Sequence, residues 1–551
     1  MVEEVFTFIV GGKAGDGVKK AGSVASGLFR GMGRNVFQMD DYQSLIRGGH
    51  NFSVVSTSKE DITSHYMKAD LLYLIDSYSY EFHKDHVKKD GIIVYDSDDI
   101  GDGEGIGVPL SSKAKDLKSP DLIKGVGAIA VLFAAIDLDK KMLESTVREE
   151  YPKNVEENVS YAMSIYDVAN GILDRKFRLE SGDLSRPILT GNESIALGAY
   201  ASGLDLYYAY PMTPSSSILH FLAAHSKDLG ITTVHPESEI AVINMALGSA
   251  ITGVRVMVGS SGGGFALMEE AISLAGMTEV PILCILSSRP GPSTGVPTYT
   301  SQGDLGFAIH QGHGEFPKIV ASPGSINEAF YLSAELMDLA WKFQTPTILL
   351  TEKHLSESSM TVEINPEMVK YAEPIMHEGG EYKRYLDTPD GVSALLIPPS
   401  DELIKWNSYE HDETGITTEK AETIEKMQDK RRRKRETIES YVKEIETVRR
   451  YGDEGPLICT YGSTTMSLLE ALRYKGIGAR VVQPIYLEPF PVWEFERYCG
   501  EDVIVVEESA IGQFATLLKE KTGITVSKVV KKYDGRAFDP IELGEDLMEV
   551  I

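Results

Sequence analysis

Cysteine is scarce in this chain, and its scarcity limits the chemistry that the chain can perform alone. Among 551 residues there are three cysteines, Cys284, Cys459 and Cys499. They lie far apart and none belongs to a CxxC pair, so we expect no disulfide framework and a reducing setting. Three cysteines also cannot supply the four thiolates that a [4Fe–4S] cluster takes.

Basic residues and long apolar runs are in short supply as well. Lysine and arginine number 54 against 82 aspartates and glutamates, which gives a formal net charge of −28. This balance argues against nucleic acid and anionic membranes as partners, because both are bound through positive side chains, and its simplest consequence is solubility. The longest apolar stretch, 127–136, is too short to span a bilayer, and residues 1–10 lack a signal-peptide pattern. We therefore expect a soluble cytoplasmic protein.

The sequence does contain a repeated alternation of strand-like and helix-like segments, which is typical of α/β domains. The polar stretch 178–187 indicates a linker, and one long helix is predicted at about 418–450. We predict four regions with these bounds: an α/β domain over 1–177, a second α/β domain over 188–355, a polar connecting region over 356–455, and a third α/β domain over 456–551.

A glycine-rich segment, GGKAGDG at 11–17, lies between the first predicted strand and the first predicted helix. Glycines at such a turn let backbone N–H groups approach a phosphate, and Asp40 and Asp41 are suitably spaced to hold a ribose hydroxyl. The spacing does not fit a Walker A loop, because Lys19 does not directly follow Gly17 and no serine or threonine comes next. A dinucleotide site and a tight turn without a ligand stay equally open.

Three later segments carry polar groups on stiff backbone. YPMTPSSS has prolines on both sides of Thr213, and its serines could cap a helix or present hydroxyls to a carboxylate. HPESE places Glu237 and Glu239 at a predicted helix start, where carboxylates favour the helix dipole, and the strand after that helix runs into Gly262–Gly264. RPGPSTGVPT begins with Arg289 after a buried strand, a common place for anion binding. A capped helix and ordinary loops are the simpler alternatives.

The order of these segments is more specific than any one of them. GNESIALGAYASGLDLYYAYPMTPSSS, PESEIAVINMALGSAITGVRVMVGSSGGGFALMEE and SSRPGPSTGVPT resemble, in that order, the α subunits of 2-oxoacid:ferredoxin oxidoreductases. GGKAGDGV and SLIRGGHN resemble that family's γ domain, and LICTYGSTTMSLLEALRYKGIGARVVQPIYLEPFP resembles a transketolase C-terminal-type domain. The resemblance implies a multidomain α/β fold: a γ-like domain, a thiamine-diphosphate-binding fold of the pyrimidine type, and a transketolase C-terminal-like domain.

The resemblance implies roles for individual residues. Thr213 and Ser215 would line the 2-oxoacid site, and Arg289 would pair with the substrate carboxylate. Glu239, with Glu237 as second choice, would contact the aminopyrimidine ring of thiamine diphosphate. A carboxylate there favours the imino tautomer, whose exocyclic nitrogen can take the thiazolium proton.

Further contacts and two departures follow from the same resemblance. Pro211 and Gly263 would also contact the cofactor, and Arg47 is a candidate for a coenzyme A phosphate, with a structural role at least as open. Tyr299 stands where relatives often have a basic residue, so a second carboxylate contact is missing or replaced. Met212 stands for an isoleucine, a mild apolar change.

Missing motifs indicate a partner. In thiamine enzymes a GDG with a later asparagine holds Mg²⁺ and the diphosphate, but neither GDG here, at 15–17 and 101–103, has the expected sequel. Together with the missing cluster cysteines, this assigns Mg²⁺, the diphosphate and a [4Fe–4S] cluster to a β subunit, in an αβ or (αβ)₂ assembly. The implied reaction converts a 2-oxoacid, coenzyme A and oxidised ferredoxin to acyl-CoA, CO₂ and reduced ferredoxin. The fusion of the γ-like domain to the α part and the segment NSYEHDE (407–413) resemble chains assigned to 2-oxoglutarate, whereas other members of the family accept several 2-oxoacids.

Two alternatives stay open: a subunit of a non-oxidative thiamine-diphosphate enzyme, and a nucleotide-binding regulatory scaffold. The basic run KRRRKR (430–435) could dock an acidic ferredoxin. We expect instead that carboxylates at helical spacing on both sides neutralise this run.

Overall fold

The structure, a computed structural model, describes residues 5–44, 48–115, 117–118, 121–173 and 176–551. Its strands are β1 (Phe6–Ala14), β2 (Asn35–Asp41), β3 (Gly48–Ser58), β4 (Ala69–Leu74), β5 (Val87–Asp96), β6 (Ile106–Val108), β7 (Ile188–Thr190), β8 (Leu206–Tyr208), β9 (Thr232–Val234), β10 (Val256–Ser260), β11 (Ile282–Ser288), β12 (Ile319–Ala321), β13 (Pro346–Glu352), β14 (Ser359–Thr361), β15 (Val448–Tyr451), β16 (Leu457–Cys459), β17 (Arg480–Pro484), β18 (Tyr486–Glu488), β19 (Val503–Glu507) and β20 (Val526–Lys531).

The helices of the same residues are α1 (Val18–Gly31), α2 (Ser77–His83), α3 (Ser97–Ile100), α4 (Leu110–Ala114), α5 (Lys124–Ala135), α6 (Lys140–Glu150), α7 (Val155–Ile172), α8 (Gly191–Ala201), α9 (Ser216–Ala224), α10 (Ser226–Leu229), α11 (Glu239–Ile251), α12 (Gly262–Ala266), α13 (Glu269–Thr278), α14 (Leu305–Ile309), α15 (Ile326–Phe343), α16 (Lys353–Glu357), α17 (Ala421–Val442), α18 (Thr464–Lys475), α19 (Val492–Phe495), α20 (Gln513–Thr522) and α21 (Pro540–Val550). Short 3₁₀ turns lie at Lys84–His86, Pro366–Met368 and Glu496–Tyr498.

The first sheet has the order β6-β5-β4-β1-β3-β2-β14-β7. Strand β1 is parallel to β4 and antiparallel to β3, which is antiparallel to β2. Because side chains alternate along a strand, Phe8 and Val10 pack in the core formed with α1 and α5, whereas Ile9 packs in the core shared with the next region. Strands β7 and β14, from beyond the predicted linker, complete this sheet, so the first three predicted regions share a sheet and the first two share a core as well.

The second sheet, in the order β18-β12-β13-β11-β10-β8-β9, positions the candidate site. Its strands are parallel except for β18, and β11 is buried along its whole length. Parallel strands bring their carboxyl ends to one edge of a sheet, which is where α/β proteins bind ligands. The YPMTP, HPESE, SGGG and RPGPST segments follow β8, β9, β10 and β11 respectively, so all four meet at this edge.

The third sheet, in the order β15-β17-β16-β19-β20, belongs to the last region. Strand β18 leaves that region and pairs antiparallel with β12, so the last region is tied to the second sheet by backbone hydrogen bonds. Within the described ranges, no helix has both the length and the apolar character that crossing a membrane requires.

The long helix α17 corrects part of the expectation about the basic run. Lys430 and Lys434 are buried, and their ammonium groups donate to the two carboxylate oxygens of Glu279, over 2.6 and 2.5 Å. Arg432 is exposed and paired with carboxylates three and four residues away on the same helix. The prediction that carboxylates of the same helix neutralise the basic run is therefore confirmed for Arg432. It is wrong for Lys430 and Lys434, because the face of α17 that contains them packs against the end of α13.

Candidate functional site

Glu239 begins α11 with its side chain buried at the edge of the second sheet. Ser238 is the helix cap, and its hydroxyl accepts a hydrogen bond from the backbone N–H of Ala241. Glu239 is 4% exposed, and among the described residues its Oε1 has no hydrogen-bond partner. Glu237, two residues earlier, is exposed. A buried carboxylate oxygen without a partner is costly, so Oε1 of Glu239 is available to accept a hydrogen bond from a bound group.

The short helix α12 lies between this carboxylate and a cavity. A β-carbon placed on Gly264 would lie 2.1 Å from Oγ of Ser260 and 2.4 Å from Oε1 of Glu239, so only glycine leaves room for the hydroxyl and the carboxylate as they stand. Gly262 and Gly263 of the same helix line a cavity of about 520 Å³. Its other lining residues are Met212, Ala266, Arg289, Gly291, Pro292, Ser293, Thr294, Asp304 and Phe307.

Arg289 provides the positive charge of this cavity. Its side chain is buried, and Nη1 donates to the backbone oxygen of Thr213 over 2.7 Å. Burial lowers the pKa of Arg289, although the negative charge of Asp304 acts in the opposite direction. A guanidinium has five N–H donors, and within the described part of the chain only the bond to Thr213 satisfies one of them. The group can therefore bind a carboxylate in the cavity.

The YPMTP segment lies opposite Arg289, with its predicted residues in different situations. Thr213 is half-buried, and its carbonyl fixes Arg289. Ser215 is buried, and its hydroxyl donates to the backbone oxygen of Met212 over 2.9 Å, so it closes its own turn rather than capping α9. Pro211 and Gly263 are exposed. The structure thus brings together Glu239, Arg289, Thr213 and Gly263 around one edge.

Asp304 is a site residue that no sequence pattern indicated. Its carboxylate accepts a hydrogen bond from the hydroxyl of Ser288 over 2.7 Å and faces Gly262, whose β-carbon position lies 2.6 Å from Oδ2. Burial raises the pKa of Asp304, while Ser288 and Arg289 act in the opposite direction. It lies fifteen positions after Arg289 in sequence, outside every motif, and only the return of the chain to the edge of the sheet places it in the cavity.

Gln302 anchors the loop that runs from Arg289 to Asp304. Its amide donates to Glu352 Oε1 and to the carbonyl of Tyr461, both over 2.8 Å. Its side-chain oxygen accepts from the backbone N–H of Glu508 over 2.8 Å and from the hydroxyl of Thr464 over 3.1 Å. Since Glu352 ends β13 and the other three lie in the last region, one buried amide joins the loop to two sheets.

The two carboxyl groups beside Gln302 have pKa values raised into the neutral range. Burial raises the pKa of Glu352 to about 7, against the hydrogen bonds from Gln302 and Ser463. Burial and the nearby charge of Glu352 raise the pKa of Glu508 to about 8. One proton shared between such groups removes most of their repulsion.

Tyr299, the departure from the family pattern, is covered by an arginine from the last region. The guanidinium carbon of Arg536 lies 3.8 Å from the centre of the Tyr299 ring, and its Nε lies 3.4 Å from Asp41 Oδ2. A cation over an aromatic face is an attractive pair. A positive charge therefore lies next to the position where a basic residue is absent.

The glycine turn of the first region is filled by the protein itself. Asp16 accepts a hydrogen bond from the N–H of Lys13 over 2.8 Å, so a carboxylate lies inside the turn where a phosphate would have to bind. A β-carbon on Gly17 would lie 2.8 Å from the backbone oxygen of Leu122, and one on Gly125 would lie 2.7 Å from the oxygen of Gly17. These glycines allow two backbone segments to pack together.

The predicted ribose contact is also displaced. Strand β3 lies between β1 and β2, which puts Asp40 roughly 9–10 Å from β1 at the usual strand spacing. Asp40 accepts from the hydroxyl of Ser53 over 2.7 Å and from the amide of Gln38 over 3.0 Å. The geometry therefore favours a turn without a dinucleotide. Arg47, the candidate coenzyme A contact, lies outside the described residues.

Two family models match this chain. A family model described as "Pyruvate flavodoxin/ferredoxin oxidoreductase, thiamine diP-bdg" matches residues 197–433. A second model, described as "Pyruvate ferredoxin/flavodoxin oxidoreductase", matches residues 7–168. The first match contains the whole edge built by Glu239, Gly264 and Arg289, and the second contains the glycine turn.

Individual relatives match along the chain. A 2-oxoacid:ferredoxin oxidoreductase subunit alpha of a Sulfolobus species is 30% identical, over 99% of this chain and 97% of the relative. Ketoisovalerate oxidoreductase subunit VorB of Methanothermobacter thermautotrophicus is 28% identical, over 67% of this chain and 98% of the relative. The solved structure of 2-oxoglutarate:ferredoxin oxidoreductase from Magnetococcus marinus, with 2-oxoglutarate, coenzyme A and succinyl-CoA bound, is similar with a TM-score of 0.90 at 28% identity, over 99% of both chains.

Proposed function

This chain belongs to the family of 2-oxoacid:ferredoxin oxidoreductase α subunits, and from that membership we propose the substrate and the division of labour with a partner. The reaction is the oxidative decarboxylation of 2-oxoglutarate with coenzyme A to succinyl-CoA, CO₂ and reduced ferredoxin. This chain supplies the binding groups for the thiamine pyrimidine and for the 2-oxoacid. A β subunit supplies Mg²⁺, the diphosphate contacts and a [4Fe–4S] cluster.

The observation that carries the proposal is the buried, unpaired Oε1 of Glu239 next to a cavity that also contains Arg289. Thiamine diphosphate, when bound, supplies the carbon nucleophile that attacks the keto carbon. An ionised carboxylate only accepts hydrogen bonds, so Glu239 would hold a proton of the aminopyrimidine ring at its free oxygen. Gly264 leaves the room that this arrangement needs, and Pro211 and Gly263 would contact the same ring.

Arg289 would bind the carboxylate of the 2-oxoacid. One of its donors is fixed on the carbonyl of Thr213, which orients the guanidinium and leaves further N–H groups for a bidentate pair. Thr213 and Ser215 would line the same pocket. The choice of 2-oxoglutarate rests on the ligand bound in the similar Magnetococcus structure and on the NSYEHDE resemblance, whereas the relative named for ketoisovalerate makes other 2-oxoacids the alternative.

A partner subunit is consistent with the surface around the site. Ile240 and Met245 on α11 and Leu267 beside α12 are 54%, 45% and 52% exposed, so large apolar side chains face solvent close to Glu239. Clustered exposed apolar residues mark protein interfaces. We propose that the β subunit covers them in an αβ or (αβ)₂ assembly that reduces ferredoxin, with the four predicted regions as this chain's domains.

Reconstitution tests the proposal. The purified chain alone should not oxidise any 2-oxoacid in the presence of thiamine diphosphate, Mg²⁺, coenzyme A and ferredoxin, and activity should appear when the β subunit is added. Steady-state rates of the complex on 2-oxoglutarate, pyruvate and 2-oxobutyrate would then rank the substrates by kcat/KM. Turnover by the single chain would refute the division of labour, and a higher kcat/KM for pyruvate would refute the substrate.

A further inference from the structure

A second cleft, of about 500 Å³, lies where three parts of the chain meet, and it shares no lining residue with the cavity of Arg289. One wall is the segment that leads from α14 into β12, another is one face of α17, and the third comes from β18 and α20. The lining residues are Ile309, His310, Gly314, Glu315, Phe316, Pro317, Lys318, Gln428, Asp429, Arg431, Arg432, Arg435, Glu488 and Lys521.

Two cations of this cleft pair with the carboxylate of Glu488, and a third, Lys318, lies nearby. Nη2 of Arg435 lies 2.8 Å from Oε1 of Glu488, and Nζ of Lys521 lies 3.7 Å from Oε2. Lys318 is close enough for its pKa to respond to both Glu488 and Arg435. The lining as a whole holds five arginine and lysine side chains and three carboxylates, those of Glu315, Asp429 and Glu488, so the cleft keeps an excess of positive charge on a chain whose net charge is −28.

Lys318 is the least compensated of the three. Its ammonium group donates to the backbone oxygen of Gln311 over 2.8 Å and lies 4.8 Å from the centre of the Phe316 ring. Among the described residues, no carboxylate lies in ion-pair contact with it. Burial lowers the pKa of Lys318, and the charge of Arg435 lowers it further, although Glu488 acts in the opposite direction. A bound anion would relieve this repulsion.

We propose that this cleft is a binding site for a small dianion, a phosphorylated metabolite or a dicarboxylate, held by Lys318, Arg435 and Lys521. Its volume lies within the roughly 300–1,000 Å³ of small-molecule sites. Phe316 and Pro317 add an apolar wall that a ring or hydrocarbon portion of the ligand can contact. Because the walls belong to the second sheet, α17 and the last region, an occupant would tie these parts together.

The site also gives a role to one residue of the basic run (430–435), which we do not expect to dock ferredoxin. Lys430 and Lys434 of that run are satisfied internally by Glu279, and Arg431 pairs with Glu410. Arg435, whose side chain is 64% exposed, lines the cleft beside Arg431 and Arg432 and pairs there with Glu488. A compact ligand can reach Arg435 and Lys318 at the same time, because both line the same 500 Å³.

Calorimetric titration of the full chain tests this site, with pyrophosphate and succinate as separate probes. At least one probe should bind saturably with a stoichiometry of one, with an affinity that falls as salt is added. Binding of pyrophosphate identifies phosphorylated ligands, and binding of succinate alone identifies dicarboxylates. Lys318→Met should lower the affinity tenfold or more, and the exposed Lys89→Met, far away in sequence on β5, should leave it unchanged.

The controls separate the site from folding and from catalysis. Arg435→Gln, a change at an exposed side chain, should also weaken binding at least threefold and serves if Lys318→Met does not fold. Both variants should oxidise 2-oxoacids like the wild type in the absence of the probe, since neither residue belongs to the cavity of Arg289. Failure of both probes to bind the wild type, or equal affinity in wild type and both variants, would overturn the proposal.

Discussion

The glycine turn of the first region and the SGGG helix of the second region look alike in sequence, since each follows a buried strand and precedes helical structure. In the turn, the carboxylate of Asp16 occupies the interior, and Gly17 and Gly125 bring two backbones into contact. At the helix, Gly264 makes room for a carboxylate oxygen that no described group satisfies, beside a cavity of about 520 Å³. Glycine therefore indicates that other atoms come close to the backbone. Whether a binding site exists there depends on whether those atoms are already satisfied within the chain or are left to bind a ligand.

The largest expected effect lies at Glu239, beside the SGGG helix α12. Glu239→Gln should lower kcat of the assembled complex by about 10²–10⁴-fold, because the amide keeps the shape but cannot hold the pyrimidine proton as an anion does. Exchange of the thiazolium proton, followed by NMR, measures the step directly. The exposed Glu237→Gln is the matched control and should stay within about twofold. The reverse pattern would assign the role to Glu237.

In the glycine turn of the first region, which Asp16 fills, a small change should affect stability rather than activity. Gly125→Ala places a β-carbon 2.7 Å from the backbone oxygen of Gly17, and overpacking of this kind costs about 1–3 kcal/mol. Urea denaturation should show that loss, and the specific activity of the folded complex should not change. A loss of activity at unchanged stability would mean that the turn binds a ligand after all.

The corresponding glycine-to-alanine change in the SGGG helix α12 should lower activity and leave the fold intact. Gly264→Ala places a β-carbon 2.1 Å from Oγ of Ser260 and 2.4 Å from Oε1 of Glu239, and because both atoms end side chains that can rotate away, the fold should tolerate it. Displacement of the carboxylate should lower kcat about tenfold, or ~1.4 kcal/mol in the barrier. Gly248→Ala on α11, where a β-carbon meets nothing within 4 Å, is the control and should keep full activity. Equal kcat in the two variants would contradict a role for Glu239.

The site around Glu239 and Arg289 also depends on a loop whose anchor, Gln302, lies beside a carboxyl group that binds a proton, that of Glu508. The pKa of Glu508 is raised to about 8, so its protonated form is favoured in the folded chain. Proton binding therefore stabilises the folded chain, and this stabilisation is complete below the ordinary pKa of a glutamate. It is lost as pH rises through about 8. The melting temperature of the wild type should therefore fall relative to that of Glu508→Gln between about pH 5 and pH 9. Parallel curves for the two proteins would exclude this proton linkage.

The smallest effect is expected at the basic run (430–435), whose positive charges are paired largely with carboxylates of the chain itself. Arg432→Glu should change the half-saturation concentration of ferredoxin by no more than about twofold, well under the ~1.4 kcal/mol of a tenfold change. Lys434 cannot serve in this test, because a carboxylate there would face Glu279 in the interior and disturb folding. A tenfold rise that shrinks with added salt would make α17 a docking surface.

Sequence reasoning located the edge of the second sheet well because its segments follow strands whose apolar composition is unambiguous. β10, β11 and β13 all lie within the second predicted α/β domain (188–355), and α17 lies within the predicted long helix. Strands β7 and β14 were not anticipated, because a three-residue strand leaves no periodic signal. Asp304 and Gln302 were missed for a related reason: their importance comes from where a loop returns to the sheet.

The amino-acid sequence by itself determined the family, the α/β class and the candidates Glu239, Arg289 and Thr213, since local composition and the order of motifs carry that information. The tertiary structure decided which of two glutamates is buried, which glycine turn is filled, and which lysines of a basic run are paired with Glu279. These outcomes depend on residues up to 155 positions apart in sequence that share one interior, such as Lys434 and Glu279. Burial and pairing are properties of the packed chain, and no local pattern contains them.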